Sequence, residues 1–323
     1  MTHNTVVTVS KSPANTFVTL KMIFFQSSQS NSAWMRKKAC HNPTKRRRFT
    51  SKFHSIIAPH GIIYHRNRVT ITKKRFFTVT FPKTSAFSTA MQREFSEDVP
   101  EIMDLPSLDQ SELREDLENL ELLNRHFGGT KMVLRLLDRV AKDLNSFRLV
   151  DFCTGYGDHP RNMAKWAQKN GKSCTIIAVD FQRQTLDIAK AATPADQRIF
   201  YVQADVRHSP FKNQSVDLVF CSLALHHFSD EDAAQILREG RRLASRSVAC
   251  IDLMRGRIAY AAVWLLTQFI LRSPMTRHDA RLSVRRSFTG KELKNLALLA
   301  DWRSFWHDNL PWFRQVIVCE QTV

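Results

Sequence analysis

The sequence predicts an α/β protein with a mainly parallel sheet and helices on both faces. Three observations point there. Short apolar runs alternate with helical stretches from residue 147 onward. Several of those runs close on an acid (Asp151, Asp180, Asp252), and the first is followed by two glycines, Gly155 and Gly157. Such alternation implies right-handed crossovers, parallel neighbours and ligands gathered at the carboxyl ends of the strands.

The chain begins with a strongly basic stretch. Residues 1–90 hold 16 Lys and Arg and no acid, whereas the other 233 residues hold 32 basic and 30 acidic side chains, so the net charge of +18 belongs almost wholly to the first part. The cluster Lys45-Arg46-Arg47-Arg48 would attract phosphates electrostatically, and a solvated charge run is the plainer reading. The Ser- and Thr-rich, acid-free composition resembles an organellar transit sequence, and Met91, where acids first appear, is an alternative translation start. Residues 1–90 are therefore expected to be a disordered extension outside the functional part. The location expected is cytoplasmic, or organellar if the extension is a transit segment.

Next comes a helical cap, 91–146. Leu113, Leu117, Leu120 and Leu123 recur at helical spacing over 111–125, with acids early where they complement the helix dipole. Gly128-Gly129 stops that helix, and 131–144 repeats the pattern with Val133, Leu134, Leu137 and Val140.

The main domain, 147–323, then reads as strand 147–152, helix 160–169, strand 174–180, helix 183–192, strands 198–203 and 216–222, helix 230–244 and strand 247–253. In the turn after the first strand, Gly155 and Gly157 allow positive φ and close backbone approach to a small molecule. Asp180 follows at the spacing where a carboxylate meets ribose hydroxyls. A dinucleotide loop would need a third glycine where Pro160 stands, and proline suits the first helical turn instead. The only Gly-Lys-Ser, 171–173, follows a helix rather than opening one, so a phosphate loop for ATP is not supplied. Thr289-Gly-Lys-Glu292 has the form of a capping box for a helix to about Ala300, and 313–320 reads as the last strand.

Six cysteines at 40, 153, 174, 221, 250 and 319 include no CxxC pair and read as reduced, mostly buried thiols. No stretch reaches the roughly 18 to 20 apolar residues of a membrane span. A helical insertion is expected at 254–288, and it contains the uncharged stretch Ile258–Leu271, bordered by arginines. It reads as a buried helix, a lid over an apolar pocket, or an interfacial segment making peripheral membrane contact.

Taken together, the loop Asp151 to Asp158, Asp180, Gln203-Ala204-Asp205-Val206, the stretch Val216 to Phe228 and the strand ending at Asp252 resemble the Rossmann-like (class I) S-adenosylmethionine-dependent methyltransferases. They are most similar to the branch of ubiquinone and menaquinone biosynthesis. The resemblance covers about 91–323. It implies a seven-stranded sheet whose last strand runs antiparallel beside a strand near 303–307, and S-adenosyl-L-methionine as cofactor. It implies further that Asp151, Thr154, Gly155 and Gly157 line the methionine part, Asp180 and Phe181 the ribose side, Asp205 and Val206 the adenine, and Ser222 and Leu223 the pocket beyond the fourth strand. One departure stands out: Cys153 occupies the position of the first glycine of the family loop.

Methyl transfer from a sulfonium is an in-line displacement, so positioning supplies much of the catalysis. His226 or His227, just past the fourth strand, is placed to act as a base on a hydroxyl acceptor. The pair has no HxxxH or HExxH spacing, and no metal site is expected. Arg255, Arg277, His278 and Arg286 could orient an anionic acceptor or tie the insertion to the sheet. The activity expected is methylation of O or C of a small aromatic, quinone-like, polyketide or lipid-like acceptor. The alternatives are a non-catalytic S-adenosylmethionine-binding regulatory subunit and an RNA methyltransferase. Nucleic acid is the less favoured partner because residues 91–323 are nearly neutral and lack an Asn-Pro-Pro-Tyr-like motif after the fourth strand.

Overall fold

In the computed structural model the chain divides into two units, residues 1–89 and 90–323, each described by itself. The described residues are 3–11, 17–28, 62–65 and 68–82, as backbone, and 91–105, 108–269 and 273–321. In the first unit they form strands β1 (His3–Lys11), β2 (Phe17–Ser28), β3 (Ile62–His65) and β4 (Arg68–Pro82), an antiparallel sheet of order β1-β2-β4-β3. This is regular structure where the sequence reading expects a disordered extension. Runs such as Thr-Val-Val-Thr-Val, rich in β-branched residues, have the composition of strands. The basic cluster at 45–48 and Cys40 lie outside the described residues.

The second unit starts with residues 91–105, followed by α1 (Gln110–His126) and α2 (Gly129–Val140). Then β5 (Ser146–Phe152), α3 (Asp158–Lys169), β6 (Ser173–Asp180), α4 (Arg183–Ala191), β7 (Ile199–Gln203) and β8 (Val216–Ser222) alternate as the periodicity predicts. After them come α5 (Asp230–Leu243), β9 (Ala244–Leu253), α6 (Arg257–Phe269), α7 (Pro274–Arg286), α8 (Gly290–Leu299), β10 (Phe305–Leu310) and β11 (Arg314–Glu320). The sheet order is β10-β11-β9-β8-β5-β6-β7, with β11 antiparallel to both of its neighbours and the β9-β8-β5-β6-β7 pairs parallel.

Central strands read as nearly continuous apolar runs because both faces are covered. Val150, Phe152, Val219 and Cys250 pack on the face that carries α5 and α8, with Ile236, Leu237 and Leu293. Their alternates Leu149, Leu218, Phe220 and Ala249 pack on the other face, with Val133 and Leu137 of α2 and Met163 of α3. Helix starts follow local chemistry. Ser229 caps α5 by accepting from Asp232 N–H, and Thr289 and Glu292 form the expected capping box of α8.

One boundary changes. The second cap helix ends at Val140 instead of 144, and Lys172 Nζ donates to the carbonyls of Ala141, Lys142 and Leu144 just beyond it. Residues 274–286 lie within the helical insertion expected at 254–288 and form one of its helices. The start signal of this helix is Ser273 as N-cap with Pro274 at the first position.

Residues 91–105 form a strap from α7 to the start of α4. Arg93 donates to Arg286 O, Phe228 O and Asp230, with its guanidinium over the Phe288 ring at 3.9 Å. Asp279 of α7 accepts from the N–H groups of Ile102 and Met103, and Gln182 donates to Met103 O and Asp104.

Candidate active site

At the carboxyl end of β5 the chain turns through three consecutive odd positions: Cys153 at φ 52°, Gly155 at 53° and Gly157 at 69°. Cys153 thus adopts the left-handed conformation that a glycine would take without strain, at a cost of about 1–2 kcal/mol. A Cβ on Gly155 would meet nothing within 4 Å, so this part of the loop faces open space, while a Cβ on Gly157 would lie 2.6 Å from the Tyr201 hydroxyl. Gly157 is therefore explained by close packing against β7, whereas Gly155 forms the open cradle.

Asp151 is buried at the tip of β5. Its Oδ2 accepts from Thr154 Oγ1 at 2.7 Å, and its Oδ1 has no partner. Burial pushes this carboxyl up to about 7, with Thr154 opposing. On the neighbouring strand Asp180 accepts from the N–H groups of Gly155 (2.9 Å) and Gln182 (3.0 Å), which fixes it beside the loop. Its pKa is raised, first by burial. Phe181 follows with 70% of its surface exposed. At the tip of β8, Ser222 Oγ is buried without a partner, and Leu223 has φ 58° with its N–H on Ile251 O. Two unpartnered buried oxygens and two non-glycine left-handed residues thus crowd the tips of adjacent central strands, where strain and orphaned groups cluster at functional sites.

Asp205, expected at the adenine, pairs with a neighbouring arginine. Its carboxylate is gripped by Arg207, which also bridges to Asp232, and these hydrogen bonds hold its pKa below the ordinary value against burial. Val206 puts its side chain into the core.

His226 and His227 lie in a 3-10 turn after β8, rings 4.5 Å apart. Each imidazole is held by a different carboxylate. His226 Nδ1 is 2.6 Å from Asp252 Oδ1, and Asp252 Oδ2 also accepts the His226 N–H. His227 Nδ1 is 2.9 Å from Asp104 Oδ2. Both Nε2 atoms face Glu101, at 3.9 Å for His226 and 3.7 Å for His227. Burial opposes a charge on His227, but Glu101 and Asp104 outweigh it and lift its pKa to about 10.

Sequence reasoning missed Glu101 and Asp104. They stand more than a hundred residues before the histidines in a stretch without periodicity, and only the folded strap brings them in. The predicted substrate residues scatter. Arg255 donates to Met91 O, Ser287 O and Glu292, and Arg286 to Ser96 O and Val99 O, so both guanidinium groups tie the strap and helix junctions together. His278 is half exposed with Nδ1 on Asp279, and Arg277 is partly buried on the same helix. The apolar stretch of α6 is not a buried helix. Ile258, Trp264 and Phe269 are exposed, and Arg281 of α7 donates to Thr267 beneath them. Among the described residues no helix is long and apolar enough to cross a membrane.

The chain is similar to known methyltransferases. A family described as "Methyltransferase domain" matches residues 149–261. The demethylmenaquinone methyltransferase of Lactobacillus johnsonii is 30% identical over 128 residues, 39% of this chain and 49% of that protein. That of Roseiflexus castenholzii is 32% identical over 114 residues, 34% of this chain and 44% of that protein. The chain spans about half the length of the curated relatives it matches. Among solved structures, a SAM-dependent methyltransferase from Aquifex aeolicus superposes with a TM-score of 0.48 at 14% identity, covering 66% of this chain and 99% of that one. The sheet order, the antiparallel last strand and the family match make the fold a Rossmann-like class I methyltransferase fold.

Proposed function

We propose that this chain is an S-adenosylmethionine-dependent methyltransferase acting on oxygen or carbon of a small aromatic or quinone-like acceptor. The observation that carries the reading is the convergence at the tips of β5, β6 and β8. There the open face of Gly155, the anchored Asp180, the exposed Phe181 and the partnerless oxygens of Asp151 and Ser222 meet at the ligand-binding edge of a parallel sheet.

These residues fit the cofactor. Asp180 offers a carboxylate to ribose hydroxyls, Phe181 an exposed ring for the adenine, Gly155 room for backbone approach, and Asp151 an unfilled acceptor for the amino group of the methionine part. When bound, S-adenosylmethionine supplies an electrophilic methyl group. Asp205 enters only indirectly in this reading, through the Arg207–Asp232 clamp that fixes its loop.

The acceptor belongs at the β8–β9 side, where the histidine pair, the strap and α6–α7 meet. Asp252 fixes the tautomer and direction of the His226 ring, as an orienting acid does for a base. Holding acceptor and methyl in line can supply roughly 7–11 kcal/mol of barrier reduction, so few catalytic groups are needed. The 30% and 32% identical relatives named for demethylmenaquinone methylation support a quinone-like acceptor.

Calorimetry of the full chain with S-adenosylmethionine and with NAD, followed by a labelled-methyl screen against phenolic and quinone-like acceptors, tests the reading. Binding of S-adenosylmethionine and label in a phenolic or quinone-like product are expected. NAD binding without S-adenosylmethionine binding overturns it. His226→Asn should cut turnover strongly while cofactor affinity stays unchanged, and wild-type turnover removes His226 from the mechanism.

A further inference from the structure

The His226–His227 pair is more than two rings beside an acceptor. Glu101, His226 and His227 each offer a ligand atom, and these atoms lie within 4.8 Å of one another. His226 Nε2 lies 3.9 Å from Glu101 Oε1 and His227 Nε2 3.7 Å from Glu101 Oε2, each beyond a hydrogen bond. These separations are within a few tenths of an ångström of the spacing between ligands that each lie about 2.0–2.2 Å from a shared ion. Behind this triangle, each imidazole has its other nitrogen on a carboxylate: Asp252 for His226 and Asp104 for His227. A carboxylate on Nδ1 with Nε2 directed at a common point is the arrangement that orients histidine toward a metal and raises its basicity.

The surroundings support the same conclusion. Glu101 is 1% exposed, and its Oε1 is fixed by Ser283 Oγ at 2.8 Å. Asp279 of the same helix α7 pins the backbone of Ile102 and Met103. Four elements thus hold three donors to one point at the tips of β8 and β9, on the acceptor side of the sheet. A surface charge cluster has no such double support.

We propose that Glu101, His226 and His227 bind a divalent first-row transition metal ion such as Zn2+, through two imidazole nitrogens and one carboxylate. Two nitrogens and one oxygen suit this class, whereas Mg2+ and Ca2+ prefer all-oxygen sites. Three protein ligands leave positions open, as catalytic metal sites do. The binding itself stands on geometry alone. Its use rests on the methyl-transfer reading: it would direct the enzyme toward acceptors that offer an oxygen ligand, a hydroxyl or a carbonyl, and would take over from His226 the task of making that oxygen reactive.

The test is Zn2+ titration of the metal-stripped full chain by calorimetry, with zinc-edge X-ray absorption on the loaded protein. One Zn2+ per chain with imidazole scattering is expected. Glu101→Gln and His227→Asn should each weaken binding at least tenfold. Asp252→Asn, which removes only the carboxylate behind His226, should weaken it by about 10- to 100-fold. Saturable binding that is absent in the wild type, or equal affinity in the Glu101→Gln/His227→Asn double variant, overturns the proposal. Circular dichroism and S-adenosylmethionine calorimetry on the same samples separate misfolding from ligand loss. A chain that binds Zn2+ but not S-adenosylmethionine refutes the methyl-transfer reading and leaves the metal site standing.

Discussion

Replacing Gly157 by alanine distinguishes packing from cofactor lining at the site loop. The new Cβ would sit 2.6 Å from the Tyr201 hydroxyl, at a residue with φ 69°. Left-handed strain costs about 1–2 kcal/mol, and overpacking against a neighbour adds about 1–3 kcal/mol. The single variant should therefore lose about 2–5 kcal/mol. Tyr201→Phe removes the atom in the way and leaves the ring carbons 3.4 Å from the new Cβ, at the edge of ordinary contact. It also forfeits the bond between the Tyr201 and Thr193 hydroxyls, 2.7 Å long and worth about 1 kcal/mol. In that background Gly157→Ala should cost only the strain, about 1–2 kcal/mol. Urea unfolding of the four proteins gives the coupling energy, and calorimetry with S-adenosylmethionine gives affinity. Equal costs in both backgrounds would refute the packing account. So would a cofactor affinity lost alike in the single and double variants, which would assign Gly157 to the ligand.

Three further outcomes follow from the same geometry. Phe181→Ala should leave stability within about 0.5 kcal/mol, as for an exposed side chain, yet weaken S-adenosylmethionine binding in calorimetry; unchanged affinity removes Phe181 from the site. The Asp151 carboxyl titrates at about 7 in the fold against an ordinary value of 3.8. The folded protein thus holds this proton where the unfolded chain has lost it, and the stabilisation, full below pH 4, fades as pH rises to about 7. Burial makes the span on the order of 4 kcal/mol. Asp151→Asn should flatten the slope of unfolding free energy between those pH values, and an unchanged slope refutes the assignment. Arg255→Lys, which cannot reproduce the fork to Met91 O, Ser287 O and Glu292, should cost about 3 kcal/mol or more in denaturant unfolding. A raised acceptor KM with unchanged stability would instead give Arg255 the substrate role.

Much of this molecule was legible because its chemistry is local. Alternating apolar runs are strands and helices wherever both faces of a sheet must be covered, and Leu149 and Val150 send their side chains to opposite cores for that reason alone. Capping at Thr289 and Glu292 needs only four residues, and proline at 160 falls in the first turn of α3 as its missing N–H dictates. Helix α7 was harder to read. Its mean hydropathy is low, and Arg286 on its buried side donates to strap carbonyls, so no apolar stripe announces it.

Sequence by itself therefore determined the sheet, its cofactor edge and the strand-end acids, since each follows from residues a few positions apart. Only the tertiary structure decided what those acids and bases hold. It bound Asp205 to Arg207, turned Arg255 and Arg286 into ties, and packed Gly157 against Tyr201. It also brought Glu101 and Asp104 across more than 120 residues to His226 and His227. A charged side chain settles on whichever partner the fold places within reach, and spacing along the chain does not encode that distance.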